Sequence, residues 1–163
     1  MAKVTVLTAV YNAERYLRQC LDSLKCQTLT DCQFICIDDC STDTSYSILQ
    51  EYALADSRFQ VLRTPVNSGQ AKARNYGLQF AKGEYVAMLD ADDWFAPDTL
   101  EQAYSVLKNQ NCQCAVLQLV QYFDEDGREE LFPISSNKKE WSGAEAFRLS
   151  LDWSLHGLYV VEA

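Results

Sequence analysis

Asp90, Asp92 and Asp93 sit in the stretch "YVAMLDADDW", residues 85–94, three carboxylates at the point where an apolar run stops. Like charges this close oppose one another's ionisation, so such a cluster calls for a positive partner. A hard divalent cation meets the need. Mg²⁺ or Mn²⁺ takes oxygen ligands at about 2.1 Å, typically one or two carboxylates completed by a substrate's phosphates. Asp38 and Asp39 end a second apolar run, "QFICIDD", and Thr8 to Glu14 follow a third, "VTVLTAVY". Ligands of open α/β sheets bind outside the carboxyl ends of the strands. If these strands are neighbours, their acidic groups converge on one edge, and a metal reconciles that edge with an anionic diphosphate. A D-x-D alone is a weak signal; its position after a buried strand strengthens it. Asp43 and Asp98 read more simply as carboxylates at helix N-termini.

The elements that must carry these groups alternate along the first two thirds of the chain. "VTVLTAVY" reads as a strand, and Asn12 then caps a helix striped by Leu17, Leu21 and Leu24. Strand "QFICIDD" precedes a helix in "STDTSYSILQEYALA", and "FQVLRT" is a third strand. "NSGQAKARNYGLQFAKG" reads as a helix with Ser68 as its cap and Gly83 just past its end. "EYVAMLD" is the fourth strand, and Pro97 fits the first turn of the next helix. This order predicts an α/β fold, a mostly parallel Rossmann-like sheet with helices on both faces. The strands do not alternate apolar with polar, as expected when both faces are buried. Beyond residue 108 the pattern turns mixed. "CAVLQLVQYFDEDGREELFPI" reads as two strands around Asp126-Gly127, Ser142 with Glu145 as a capping box opening a helix to Leu151, and "HGLYVVEA" as a last strand.

The net charge of −9, from 14 basic and 23 acidic side chains, argues against duplex nucleic acid as a partner. Neither G-x-G-x-x-G nor G-x-x-x-x-G-K-[ST] occurs, so the dinucleotide and P-loop readings lack their phosphate cradles. A phosphoacceptor receiver would carry its acidic pair after the first strand and a lysine after a later one, and neither fits. Seven cysteines, including Cys32, Cys36 and Cys40 at every fourth residue and the pair Cys112 and Cys114, lack zinc-site spacing and read as free thiols. The start "MAKVTVLTAVYN" lacks a secretory cleavage site, and no run approaches the roughly 20 apolar residues of a membrane span. A cytoplasmic location is expected.

The segments "VLTAVYNAERYLRQCLDSLKCQT", "FICIDDCSTDTS" and "NSGQAKARNYGLQFAKGEYVAMLDADDWFAPDTL" occur in the order and spacing of family-2 glycosyltransferases, which the chain resembles closely over about residues 3–108. The resemblance implies a GT-A fold, inversion at the anomeric carbon, a nucleotide-sugar donor, most often a UDP-sugar, and Mg²⁺ or Mn²⁺. On the matching positions, Val10, Tyr11 and Glu14 resemble the first nucleotide-contacting loop. Asp38 and Asp39 match the pair that recognises the base. Asp90 resembles the ribose-side or metal-side acid, and Asp92 the metal ligand, assisted by Asp93. Arg74 matches the "ARN" segment near the donor, and Lys72, two residues away, cannot share its helix face. Thr8-Ala9 stands where proline is common and Cys40 where glycine is common, departures that bear on base preference.

In this family the general base lies on the acceptor side, after a strand resembling "HGLYVVEA". Asp152 and His156 are the weak candidates left here; Asp124 and Asp126 read better as turn residues, and Glu162 stands close to the terminus. The expectation is a single donor-binding domain over residues 1–163, with a nucleotide-sugar half (1–108) and a partial acceptor-side half (109–163) cut short. It binds a nucleotide sugar and transfers poorly alone. The alternatives are a non-catalytic nucleotide-sugar-binding module and a metal-dependent nucleotidyltransferase. By resemblance the acceptor is a surface or lipid-linked glycan, which places the protein at the inner face of the membrane. Apolar surface exposed by truncation would allow a homodimer.

Overall fold

The computed structural model describes residues 1–131 and 158–162. In chain order the elements are β1 (Val4–Val10), α1 (Glu14–Lys25), β2 (Cys32–Asp38), α2 (Ser45–Ala55), β3 (Phe59–Arg63), α3 (Gln70–Leu78), β4 (Tyr85–Met88) and α4 (Thr99–Gln110). Four short strands follow: β5 (Cys114–Leu117), β6 (Val120–Phe123), β7 (Arg128–Leu131) and β8 (Leu158–Glu162). The chain forms two compact units, Met1–Ala115 with Val160–Ala163, and Val116–Tyr159.

The main sheet runs β3-β2-β1-β4-β8-β5. β1, β2, β3 and β4 pair in parallel, and β8 joins β4 antiparallel, with Tyr85 opposite Glu162. The expected mostly parallel α/β sheet is therefore present, with the mixed character entering at the C-terminal strands. β1 and β2 have buried side chains on both faces because helices cover both. On one face Leu7, Ile35 and Ile37 pack with Ala73 of α3. On the other, Phe34 meets Phe59 with ring centroids 4.9 Å apart, and Tyr52 of α2 lies 5.7 Å from Phe59. The predicted stripe of α1 is the buried one, Leu17, Leu21 and Leu24 joined by Cys20.

Several local expectations need correction. Gln118 and Leu119 break the first of the two predicted late strands, giving β5 and β6, and only β6–β7 form the hairpin, with Gly127 at φ 69° in its turn. α3 ends at Leu78, so Gly83 is not its cap. Gly83 is glycine because an added Cβ would stand 2.4 Å from the Thr5 backbone nitrogen, and its own N–H donates to Thr5 Oγ1 at 2.9 Å. Pro97 precedes α4, which starts at Thr99. The helix opening at Ser142, and with it Asp152 and His156, lies outside the described residues.

Candidate functional site

The acidic strand ends do not come from adjacent strands. β2 and β4 lie on either side of β1, so Asp39 and Asp90 flank the β1 exit rather than sharing a strand pair. The chain runs from β1 outward to β3 and then returns to the other side of β1 as β4. That reversal opens a crevice above the β1/β4 carboxyl ends, the place where open α/β sheets bind ligands.

Two of the helices beneath this crevice are capped from a distance. Asn12 is not the cap of α1: its backbone is left-handed (φ 49°), and its Oδ1 accepts Thr42 N–H at 2.8 Å and Thr42 Oγ1 at 3.2 Å. The free N–H groups at the start of α1 are met instead from the β2–α2 loop. Ala13 N–H donates to Ser45 Oγ at 2.9 Å and Glu14 N–H to Asp43 Oδ2 at 3.1 Å. In return Glu14 Oε2 accepts Thr44 Oγ1 at 2.6 Å and Thr44 N–H at 3.0 Å, and these bonds hold its carboxyl below its ordinary pKa. Asp43 thus takes the helix-capping part expected of it.

Asp38 is wholly buried, and its sheet register explains its partner. It stands opposite Arg63 on β3, whose Nε lies 2.9 Å from Asp38 Oδ2. Arg63 also covers the Tyr46 ring, 4.3 Å from its centroid. Asp39 is 2% exposed and organises the next loop. Its Oδ1 accepts Thr64 Oγ1 at 2.7 Å and Ser68 Oγ at 3.0 Å, and its Oδ2 accepts Ser68 N–H at 2.9 Å and Gly69 N–H at 2.7 Å. Burial pushes this carboxyl's pKa up; the four donated bonds outweigh it and hold the pKa below its ordinary value. Ser68 is therefore not the cap of α3. Asp39 caps that helix from another strand, and Gly69, at φ 87° and ψ 153°, makes the turn that only glycine enters without strain.

On the other side of β1, Asp90 Oδ1 accepts from Gln70 Nε2 at 2.8 Å and from Arg74 Nη2. The loop that follows and the start of α4 are stapled to α1 and the turn after it: Phe95 N–H donates to Ser23 Oγ at 3.2 Å, Gln27 Nε2 to Ala96 O at 2.7 Å, and Leu100 N–H to Gln27 Oε1 at 3.1 Å. Asp92 projects to solvent. Asp93 has its pKa raised by burial first and then by Asp92 and Asp90. The three carboxylates do crowd one another, as the sequence implied.

Between these arms lies a cleft of about 570 Å³ whose lining includes Val10, Tyr11, Asp39, Gln70, Asp90 and Asp92, within the usual size range of small-molecule sites. It gathers five of the sequence-predicted residues: Val10, Tyr11, Asp39, Asp90 and Asp92. Glu14 and Asp38 do not line it, being engaged with Thr44 and Arg63, and Arg74 reaches it through Asp90. Gln70 and Tyr16 line it and were missed; Gln70 carried a signal, four residues before Arg74 and hence on the same helix face. Among the described residues no three His, Cys, Asp or Glu side chains converge as a self-sufficient metal cage. Asp90 and Asp92 fit instead a cation of the Mg²⁺ or Mn²⁺ kind whose remaining ligands come from diphosphate and water. The charges of Asp92 and Asp90, which come after burial in raising the Asp93 pKa, are ones such a cation would offset.

A parallel sheet with a carboxylate-lined cleft at its switch point fits the GT-A glycosyltransferase fold, and solved structures of that fold match the chain. TarS of S. aureus in complex with UDP superposes at TM-score 0.70 with 29% identity, covering 77% of this chain and 38% of that one. The mannosyltransferase PcManGT from Pyrobaculum calidifontis, in complex with GDP-Man and Mn²⁺, gives TM-score 0.66 at 26% identity, covering 76% and 36%. Among curated proteins, glycosyltransferase GlyA of Streptococcus pneumoniae serotype 4 is 36% identical over 125 residues, 77% of this chain and 18% of that protein. The family model "Glycosyl transferase family 2" matches residues 5–156. The chain belongs to glycosyl transferase family 2. It spans between 17% and 43% of the length of the curated relatives it matches.

Proposed function

We propose that this chain is the donor-binding part of an inverting glycosyltransferase that moves a sugar from a nucleoside diphosphate, UDP first, to a glycan or lipid-linked hydroxyl. The observation that carries the reading is the cleft at the β1/β4 switch point, with Asp39 on one wall and Asp90 and Asp92 on the other. Val10, Tyr11 and Asp39 are assigned to the base and ribose, and Asp90 with Asp92 to the diphosphate end, where they would hold Mg²⁺ or Mn²⁺. Such an ion, when bound, offsets the charge that builds on the departing diphosphate. Arg74 holds Asp90 by its guanidinium, and Gly69 leaves the α3 end of the cleft without a side chain. Asp38, Glu14 and Asp93 are assigned supporting parts, the first two through the loops they tie. The attacking hydroxyl approaches from the face opposite the leaving group and loses its proton to a base, a step worth about 10²–10⁴-fold. Asp152 and His156 stay the two candidates for that base. Work at a lipid-linked acceptor puts the protein at the cytoplasmic membrane face; no described helix is long and apolar enough to cross a membrane.

Thermal unfolding with UDP, GDP, dTDP and CDP, each with and without Mn²⁺, tests the reading on this chain and on Asp92→Ala. Ligand at about 100 times its Kd adds about 2.7 kcal/mol, several degrees in a domain this size. A Mn²⁺-dependent shift with one nucleotide, lost in Asp92→Ala, is the expected result and names the base. No shift with any of the four refutes the donor-site reading.

A further inference from the structure

Asp90 is gripped twice through a single oxygen. Gln70 and Arg74 stand four residues apart on α3, on one face of the helix, and both donate to Asp90 Oδ1. Asp90 Oδ2 takes no hydrogen bond among the described residues, and the Asp90 side chain is 40% exposed. A carboxylate held by one oxygen presents the other in a fixed direction. Arg74 alone sets this poorly, since its Nε is buried without a partner among the described residues, and none of these locks its guanidinium at that atom. Gln70 supplies the second donor without adding charge. Its amide orientation is fixed as well, because only the nitrogen end can face a carboxylate oxygen.

The same turn of α3 also serves the opposite wall. Gly69 N–H, one residue before Gln70, donates to Asp39 Oδ2 at 2.7 Å. One helix turn thus ties both carboxylate walls of the cleft, Asp39 through the backbone and Asp90 through side chains.

We infer that Gln70 is a positioning residue for the donor site: it fixes the rotamer of Asp90 and so sets the strength with which the acidic wall holds a metal–diphosphate group. This rests on the donor-site reading above. Partners that orient a ligating carboxylate are worth about 10–100-fold in affinity, and with Arg74 still present the lower end is expected. The experiment is calorimetric titration of UDP and of GDP, with and without Mn²⁺, into the wild-type chain, Gln70→Leu and Gln70→Lys. Gln70→Leu removes the donor at similar length, and Gln70→Lys restores a donor able to reach Asp90. Gln70→Leu is expected to weaken Mn²⁺-dependent binding about tenfold and leave metal-free binding unchanged, while Gln70→Lys recovers most of the loss. Gln70 is exposed, so both variants melt within about 2 °C of wild type without ligand. A Gln70→Leu variant that binds like wild type overturns the role of Gln70 alone. Equal weakening with and without Mn²⁺, or no recovery by lysine, assigns Gln70 a direct ligand contact and overturns it too. A wild-type chain that binds neither nucleotide, and no dTDP or CDP either, refutes the donor-site reading and this role with it.

Discussion

Asp39→Ala tests whether a residue assigned to base recognition is first of all a strut of the fold. The Asp39 carboxylate is buried and receives two hydroxyls and two backbone N–H groups, from Thr64, Ser68 and Gly69. Among the described residues, alanine leaves the Ser68 N–H at the start of α3 without an acceptor and the Gly69 N–H with only Asn67 Oδ1, at 3.2 Å. An unsatisfied buried donor costs about 1–3 kcal/mol, but Gly69 itself is exposed and water can reach it. The expected loss is therefore about 3 kcal/mol, or about 6–12 °C in melting temperature for a chain of this length. Asn costs less, about 1–2 kcal/mol. Its carbonyl can take the two N–H groups while its amide donates to the Thr64 and Ser68 hydroxyls, and only the charge is lost.

The sign of the pH dependence separates charge from shape. The carboxyl of folded Asp39 lies below its ordinary pKa, so its charge stabilises the fold above the unfolded value of about 3.9. That stabilisation is lost as the pH falls through the folded pKa. Urea unfolding of wild type and Asp39→Asn between pH 7 and 3 should then show a gap that is constant down to about pH 5 and closes below about 4. An Asp39→Ala chain within about 0.5 kcal/mol of wild type, or a gap that ignores pH, refutes the strut argument. Retained stability with lost nucleotide binding would make Asp39 a ligand reader only.

Three further outcomes follow from the same geometry. Arg63→Met leaves the wholly buried Asp38 carboxylate with only the Ser41 N–H among the described residues, at 3.3 Å; because Arg63 is 44% exposed, urea unfolding should show a loss of about 2 kcal/mol, and Asp38→Asn in the same chain should return part of it. Cys40 holds a left-handed backbone at φ 62°, which costs a residue with a Cβ about 1–2 kcal/mol, against the 0.5–1 kcal/mol that glycine loses in entropy; Cys40→Gly should gain about 0.5–1 kcal/mol in the same assay. Gly83→Ala puts a methyl group 2.4 Å from the Thr5 backbone, where no side-chain motion makes room, and should lower the melting temperature by about 5 °C or more, with little soluble protein as the extreme result.

What the sequence shows plainly is whatever depends on near neighbours. Leu17, Leu21 and Leu24 announce one helix face at their own spacing, and the unalternating runs of β1 and β2 announce strands buried on both sides. The acidic ends were legible for the same reason, each being one short segment. Caps were not. Asn12 and Ser68 have the right chemistry at the right local positions, yet the donors at those helix starts go to Ser45, Asp43 and Asp39, about 30 residues away. Local reading assumes that a helix start is satisfied by its own chain, and here the loops at the carboxyl ends of the sheet satisfy one another. Strand order was hidden too, because nothing in the residues of β4 says that it returns beside β1 and not beyond β3. These two hidden features are the ones that make the cleft. The return of β4 opens it, and the crossed caps hold its walls: Glu14 to Thr44, Asp43 to Glu14, Asp39 to Gly69. The carboxylates of this chain therefore divide by what already occupies their oxygens. Those whose oxygens are taken up by loop N–H groups or by the half-exposed Arg63, namely Asp38, Asp39, Asp43 and Glu14, build the rim, and of these four Asp39 also lines the cleft. Asp90 and Asp92, which keep oxygens toward the cleft, are left to meet a ligand, and the contrast between Asp39→Ala and Asp92→Ala measures that division directly: the first should lose stability before binding, the second binding alone.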